Sequence, residues 1–234
     1  MLSESKFSKY LLYAIGEILL VVVGILIALQ INNANAEGKL RNKELVLLEE
    51  MRQNLTEDLV DLEYNISGNL KRTHANEQVL DALQNRKPMS DALKGHYGNI
   101  FGNFQLSENT AAWENLKSVG LDLVSNDQLR NTISNLYSTK YIYLENVEKG
   151  VDDGYQWDHL YPQVLKHLNV DTMWVSATPV DHEALMEDRE FQEVLKMNLF
   201  FRHYMQSQYD SVESDINAIL EQLDEHIQTL EEHQ

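Results

Sequence analysis

The sequence predicts an all-α protein in which an N-terminal transmembrane helix continues into a long-helix bundle of about four main helices. Residues 10–31 form an apolar run long enough to cross a bilayer. Beyond it, apolar residues recur at helical spacing, and the 234 residues include only 3 prolines and 10 glycines. We therefore predict an N-terminal tail over 1–9, a transmembrane helix over 10–31 and an extramembrane bundle over 32–234.

The apolar run is the strongest signal in the chain. Its 22 residues contain one charged side chain, Glu17, and no proline. A bilayer core ~30 Å thick is crossed by about 20 mainly apolar helical residues. Lys6, Lys9 and the small residues at 34–36 also fit a cleaved secretory signal, but such signals have an apolar run of only about 7–15 residues. We predict a membrane anchor.

The distribution of charge suggests an orientation. Basic residues lie on both sides of the span, with Lys6 and Lys9 before it and Lys39, Arg41 and Lys43 after it. The formal net charge of −18 falls entirely on the part of the chain after the span, and acidic residues resist export little. The short tail before the span also favours export of the larger part. We expect an inner-membrane protein whose large domain is periplasmic.

The first extramembrane helix is predicted to continue directly from the span. No proline interrupts the chain until Pro88, so the helix is expected to end near Asn85. Its apolar residues follow steps of three and four. They are Leu48, Met51, Leu55, Leu59, Leu62, Ile66 and Leu70.

The middle of the chain predicts shorter elements. Residues 89–105 are ambiguous because their glycines weaken a helix. Ser107 fits an N-cap for a helix over 108–119, and Ser125 fits a cap for a helix reaching about residue 168. Residues 150–154 (GVDDG) predict a kink, and residues 169–180 predict a loop.

The last helix is predicted from near Asp181 almost to the C-terminus. Asn198 and Arg202 fall on its apolar stripe, so Arg202 is expected to be buried. A buried charge needs a partner, for which Glu114 is the candidate. A ligand carboxylate bound at Arg202 is the alternative. The many acidic residues of this helix indicate a solvated face.

Two stretches of the chain resemble a known family. They are KFSKYLLYAIGEILLVVVGILIALQINN (residues 6–33) and TAAWENLKSVGLDLVSNDQLRNTISNLY (residues 110–137). Both are similar to recurring blocks of an uncharacterised family of small single-span membrane proteins from Bacteroidetes-type bacteria. The resemblance implies a membrane anchor and no particular activity.

Glu17 is the most informative polar residue in the span. Spacings of seven and four place Glu17, Gly24 and Ala28 on one helical face. The small pair Gly24-x-x-x-Ala28 permits close helix packing, and an intramembrane carboxyl usually faces protein or water. This face predicts self-association, with a possible ion site at Glu17. A carboxyl that reaches the membrane interface is the simpler alternative.

No pattern predicts catalysis or a cofactor. The chain has no cysteine, and its histidines do not follow the spacing of a metal site. Its acidic balance argues against nucleic-acid binding. Asp152-Asp153-Gly154 lacks the alternating ligands of a calcium loop.

We therefore expect a non-enzymatic assembly or interaction module that is a homo-oligomer and has no metal or cofactor. Its partners are expected to be the lipid bilayer, a second copy of itself and an unknown protein. The alternatives are an oligomeric cation channel or transport component with a ring of Glu17, and an extracytoplasmic small-molecule sensor that works through a partner.

Overall fold

One helix, α1, runs from Glu4 to Gln84 without a break and carries both the apolar run and the first wall of the bundle. The structure is a computed structural model that describes residues 4–232, with side chains described for residues 11–232. At 1.5 Å per residue, a helix of 81 residues is about 120 Å long. In the described chain it is the one helix long and apolar enough to cross a membrane. The predicted continuation to about Asn85 is confirmed.

The backbone conformation of Arg86 and the proline at position 88 explain why α1 ends at Gln84. Arg86 has a positive φ of 50°, a left-handed conformation that commonly terminates helices. Pro88 then follows, and proline cannot continue a helical hydrogen-bond ladder.

Seven further α-helices follow α1 in the described part of the chain. They are α2 (Asp91–Tyr97), α3 (Ala111–Val119), α4 (Asp127–Asn135), α5 (Tyr141–Val147), α6 (Tyr161–His167), α7 (His182–Glu187) and α8 (Arg189–Glu232). A 3₁₀ turn, Leu121–Leu123, lies between α3 and α4.

Wide π-helical turns join α4, α5 and α6 into one continuous rod over residues 127–167. The turns are Leu136–Lys140, Glu148–Asp153 and Gln156–Leu160. The backbone therefore stays helical through residues 150–154, where the sequence predicts a kink. Each π turn widens the helix locally and shifts the side chains that follow it around the axis.

Three long helices build the bundle. α8 packs antiparallel to α1, since Arg52 contacts Asp224 at the end nearer the apolar run while Asn76 contacts Asn198 farther from it. The α4–α6 rod also runs antiparallel to α8. With α3 completing the bundle, the predicted all-α class is confirmed.

Several predicted element boundaries are wrong. The helix expected from a Ser107 cap begins only at Ala111, after Thr110, whose side chain makes no capping hydrogen bond. Asn126, and not Ser125, caps α4 by accepting hydrogen bonds from the backbone N–H groups of Gln128 and Leu129. The last helix divides at Asp188 into α7 and α8.

The loop predicted over 169–180 is a β-hairpin. Strand β1 (Leu168–Thr172) pairs antiparallel with β2 (Ser176–Pro179), with Val170 opposite Ala177. The turn contains Trp174 with a positive φ of 58°. This hairpin lies against α2, where Gly98 allows the backbone of Ser176 to approach closely.

The bundle has two hydrophobic cores along its length. The core nearer the span includes Leu48, Leu55 and Ile216, and the farther core includes Phe101 and Phe191. Between them, buried polar residues from α1, α8 and the α4–α6 rod meet. We call this region the polar layer; its members are Asn65, Asn69, Arg72, Asn76, Glu148, Asp152, Gln156, Asn198 and Arg202.

Candidate functional site

The face defined by Glu17, Gly24 and Ala28 has no partner within the described chain. These residues are exposed, and a Cβ placed on Gly24 would meet no atom within 4 Å. Since α1 is unbroken here, the spacing argument for a shared face applies without interruption. Self-association through this face stays a prediction.

Arg202 is buried as the stripe predicts, but its expected partner is wrong. Its guanidinium donates to the carboxylate of Asp152, and each of the two side chains is 1% exposed. Glu114 is instead exposed on α3 and pairs with Lys117. Burial raises the pKa of Asp152, and the adjacent guanidinium opposes that rise.

Much of the polar layer has a structural task. Residues 99–110, which we call the strap, contain no helix and no strand. The backbone N–H of Gly102 donates to Gln156 at 2.9 Å, and that of Leu106 donates to Glu148 at 3.0 Å. Asn76 and Asn198 both donate to the carbonyl of Ile100. These side chains pair with backbone groups of the strap that no neighbouring strand or helix satisfies, because buried backbone polar groups must be hydrogen-bonded.

The same task explains two buried acids. Asp58 on α1 accepts from the backbone N–H of Asn109 at 2.7 Å and from the Tyr141 hydroxyl at 2.7 Å. Burial raises its pKa to about 6, against the opposing effect of these hydrogen bonds. Burial likewise raises the pKa of Glu148 to about 7. Raised pKa values often mark functional sites, but here both carboxyl groups hold the strap.

The burial of Arg72 is not explained by hydrogen bonding to the strap. Its side chain is 6% exposed, and its Nη1 has no hydrogen-bond partner among residues 11–232. Its guanidinium carbon lies 4.0 Å from the centre of the Phe104 ring and 5.8 Å from that of Trp174. Burial first, and the nearby positive charge of Arg202 second, lower its pKa to about 10.

Other polar atoms of the layer also lack a protein partner in the described region. They are Asn65 Nδ2, Arg202 Nε and Asp152 Oδ2. Unsatisfied buried groups each carry a desolvation cost of about 1–3 kcal/mol. The polar layer therefore has more hydrogen-bonding capacity than the strap uses.

A second polar cluster superficially resembles a catalytic triad. Glu44 Oε1 contacts His226 Nε2 at 2.9 Å and accepts from Ser125 Oγ at 2.9 Å. A triad needs the acid on one ring nitrogen and the nucleophile on the other. Here the serine also meets the same ring nitrogen at 3.3 Å, so the cluster fastens the start of α4 to α1 and α8.

Comparison with protein families decides the family of the chain. A family model described as a family of unknown function, DUF6090, matches residues 17–201. The chain belongs to DUF6090. No curated protein and no solved structure matches it. The resemblance to an uncharacterised family is confirmed, while the single-span and Bacteroidetes-type character expected of its members stays a prediction.

The DUF6090 match begins at Glu17 and includes Arg72 and Asp152, but it ends at Phe201, immediately before Arg202. Among the described side chains, no group of three or more His, Cys, Asp or Glu residues is arranged to hold a metal ion.

The burial of Arg72, Glu148 and Asp152 in the polar layer was not predicted from the sequence. A usable signal existed on α1, where polar residues continue the apolar stripe with steps of four, three and four. They are Asn65, Asn69, Arg72 and Asn76. No comparable signal marks Asp152, because the π turn at Glu148–Asp153 changes which residues face the core.

Proposed function

We propose that the protein is a single-span, membrane-anchored module that forms a homo-oligomer through its membrane helix and works by assembly and interaction rather than catalysis. The observation that carries this proposal is the unbroken α1, which joins an exposed apolar segment directly to the bundle. A subunit contact made in the membrane would therefore fix how neighbouring bundles are arranged.

The span has the composition of an associating helix. In lipid, burial of apolar side chains supplies little drive for association, so close backbone packing and polar contacts decide it. Gly24 and Ala28 offer close approach, and Glu17 on the same face would leave the hydrocarbon by meeting another subunit. A carboxyl facing lipid alone costs about 2.5–3.5 kcal/mol on insertion scales.

A matched pair of substitutions tests this contact. Gly24→Ile places a branched side chain on the proposed face, whereas Val23→Ile changes a neighbouring face by one methylene. Energy transfer between labelled full-length chains in liposomes should fall for Gly24→Ile and remain at the wild-type value for Val23→Ile. Equal transfer for both variants would remove the proposed interface.

The channel alternative uses the same face. If Glu17 lined a conduit, Glu17→Gln would keep energy transfer between subunits but abolish cation flux into liposomes. Absence of flux from the wild-type protein would leave Glu17 with a structural role. This measurement separates assembly from transport because the two readouts are independent.

We also propose that the protein lies in the inner membrane with its bundle in the periplasm. The acidic bundle and the basic residues Lys6 and Lys9 before the span support this orientation. A C-terminal alkaline phosphatase fusion should be active and a green fluorescent protein fusion dark. The reverse pattern would place the bundle in the cytoplasm.

A second candidate is a sensor that signals through a partner. The polar layer favours it, because Asn69 and Arg72 lie on the same helix as the span. Asn69 lies 38 positions after Ile31, a separation of about 57 Å along the helix axis. A ligand that altered the packing of α1 in this layer would have a direct mechanical connection to the membrane.

A further inference from the structure

We infer that Arg72 is the anchor of a binding site for a small monocarboxylate, located where α1, the strap and the turn of the β-hairpin meet. This site deepens the sensor candidate by naming its ligand class. It does not depend on oligomerisation. Its evidence comes from the burial, geometry and charge of a few residues.

Burial of an uncompensated charge is the first step. Arg72 is more than nine-tenths buried, and it forms no ion pair with a carboxylate among the described residues. Its neighbour Arg202 is already paired with Asp152. Asp153, the next residue along the chain, accepts hydrogen bonds from Asn103 and Gln105 of the strap. A buried cation without a partner is costly, so an anion is the natural complement.

The geometry of the guanidinium selects the ligand. The guanidinium carbon of Arg72 lies over the Phe104 ring, 4.0 Å from its centre, and this contact uses none of the N–H donors. Carboxylates bind guanidinium groups in the guanidinium plane, often with two parallel hydrogen bonds. The orphaned Nη1 of Arg72 is a donor of this kind, and Arg202 Nε and Asn65 Nδ2 are further unused donors in the layer.

The single positive charge of Arg72 determines the charge expected of the ligand. Arg202 and Asp152 form an ion pair, which leaves the positive charge of Arg72 without an ion-pair partner among the described side chains. A single carboxylate balances it, whereas a doubly charged phosphate would leave a buried negative charge. The carboxylate of the ligand would thus replace an ion pair that the protein itself does not provide.

The hairpin turn covers Arg72 and is itself exposed to solvent. Trp174 lies over Arg72 and is 48% exposed, and its neighbours Met173 and Val175 are also exposed. Gly102, at a φ of 89°, permits this approach: a Cβ there would lie 2.6 Å from the Trp174 indole nitrogen and 3.1 Å from Arg72 Nη2. The apolar surroundings favour a carboxylate that carries an apolar body.

Calorimetric titration of the full-length protein in non-ionic detergent tests the site, with sodium benzoate, acetate and phosphate as probes and sodium chloride at equal ionic strength as the blank. The wild-type protein should bind benzoate saturably at one site per chain, and more tightly than acetate. Arg72→Met should lose this binding, whereas Lys71→Met, which removes an adjacent exposed cation, should keep it. Arg72→Lys retains the charge without the planar fork, so its Kd should rise about tenfold or more.

Location is checked by fluorescence. Benzoate should change the emission of Trp174, and the change should vanish in Trp174→Phe. If Arg72→Met does not fold, the Arg72→Lys and Trp174→Phe results decide the matter. Equal binding by all variants, tighter binding of phosphate, or no saturable binding by the wild-type protein would overturn the inference. None of these outcomes alters the subunit assembly measured with Gly24→Ile.

Discussion

Removal of Arg202 should destabilise the bundle strongly. Arg202→Met leaves the Asp152 carboxylate buried without its cation, and it also removes the hydrogen bond from Arg202 to Asn69. Both charged side chains are 1% exposed, so solvent cannot compensate the remaining charge. Breaking a buried pair in this way costs roughly 3–5 kcal/mol.

A surface pair in the same bundle gives the matched control. Arg52 contacts Asp224 at 3.2 Å, but these side chains are 44% and 63% exposed. Such pairs contribute about 0–1 kcal/mol. Arg52→Met should therefore change the free energy of unfolding far less than Arg202→Met, although both remove an arginine that bridges helices.

Thermal and denaturant unfolding of the full-length protein in detergent measures the difference. For a chain of this size, 3–5 kcal/mol corresponds to a decrease in Tm of roughly 6–20 °C. The double variant Arg202→Met/Asp152→Leu should recover part of the loss, because it removes the uncompensated charge as well. Equal Tm values for Arg202→Met and Arg52→Met, or strictly additive effects in the double variant, would refute the buried-pair argument.

Two further predictions concern the strap and the hairpin. Gly98→Ala should destabilise the protein in denaturant unfolding, because the new Cβ would lie 2.3 Å from the backbone nitrogen of Ser176, whereas Gly95→Ala meets only one atom at 4.0 Å and should be neutral or stabilising; equal effects would contradict the close approach. The raised pKa of Glu148, about 7 against 4.5 when unfolded, contributes stability below pH 4.5 that is lost as pH rises through 7. Glu148→Gln should remove that trend, which amounts to roughly 3 kcal/mol by linkage, and an unchanged pH profile of the unfolding free energy would show that Glu148 is solvated.

The long helices were predictable because local chemistry determines them. The stripe on α1 and the stop before Pro88 locate its end, and the stripe on α8 correctly places Arg202 in the interior. These predictions need only helical periodicity and the behaviour of proline. They do not depend on which helices become neighbours.

The partners of buried charges were not predictable in the same way. Asp152 follows a π turn, and such a turn shifts the residues that face the core relative to a regular helical period. Helical periodicity therefore does not identify Asp152 as a buried residue, and the predicted partner Glu114 is exposed on α3. The hairpin over 168–179 was missed because its strands are short and β1 is largely exposed.

The strap explains why the interior is so polar. A segment without regular secondary structure inside a helical bundle has no backbone ladder of its own, so helical side chains must accept hydrogen bonds from its N–H groups. Glu148, Gln156 and Asp58 are buried for this reason. Arg72 differs from them because it donates no hydrogen bond to the strap, although its guanidinium lies against the Phe104 ring, and because it forms no ion pair among the described residues.

The oligomeric state of the full-length protein tests the central proposal most directly. Native mass spectrometry after release from detergent should show a defined assembly of more than one chain, and Gly24→Ile should shift it towards the monomer while Val23→Ile should not. A wild-type protein that is monomeric at all accessible concentrations would contradict self-assembly through the membrane helix and would favour an anchor that depends on a different partner.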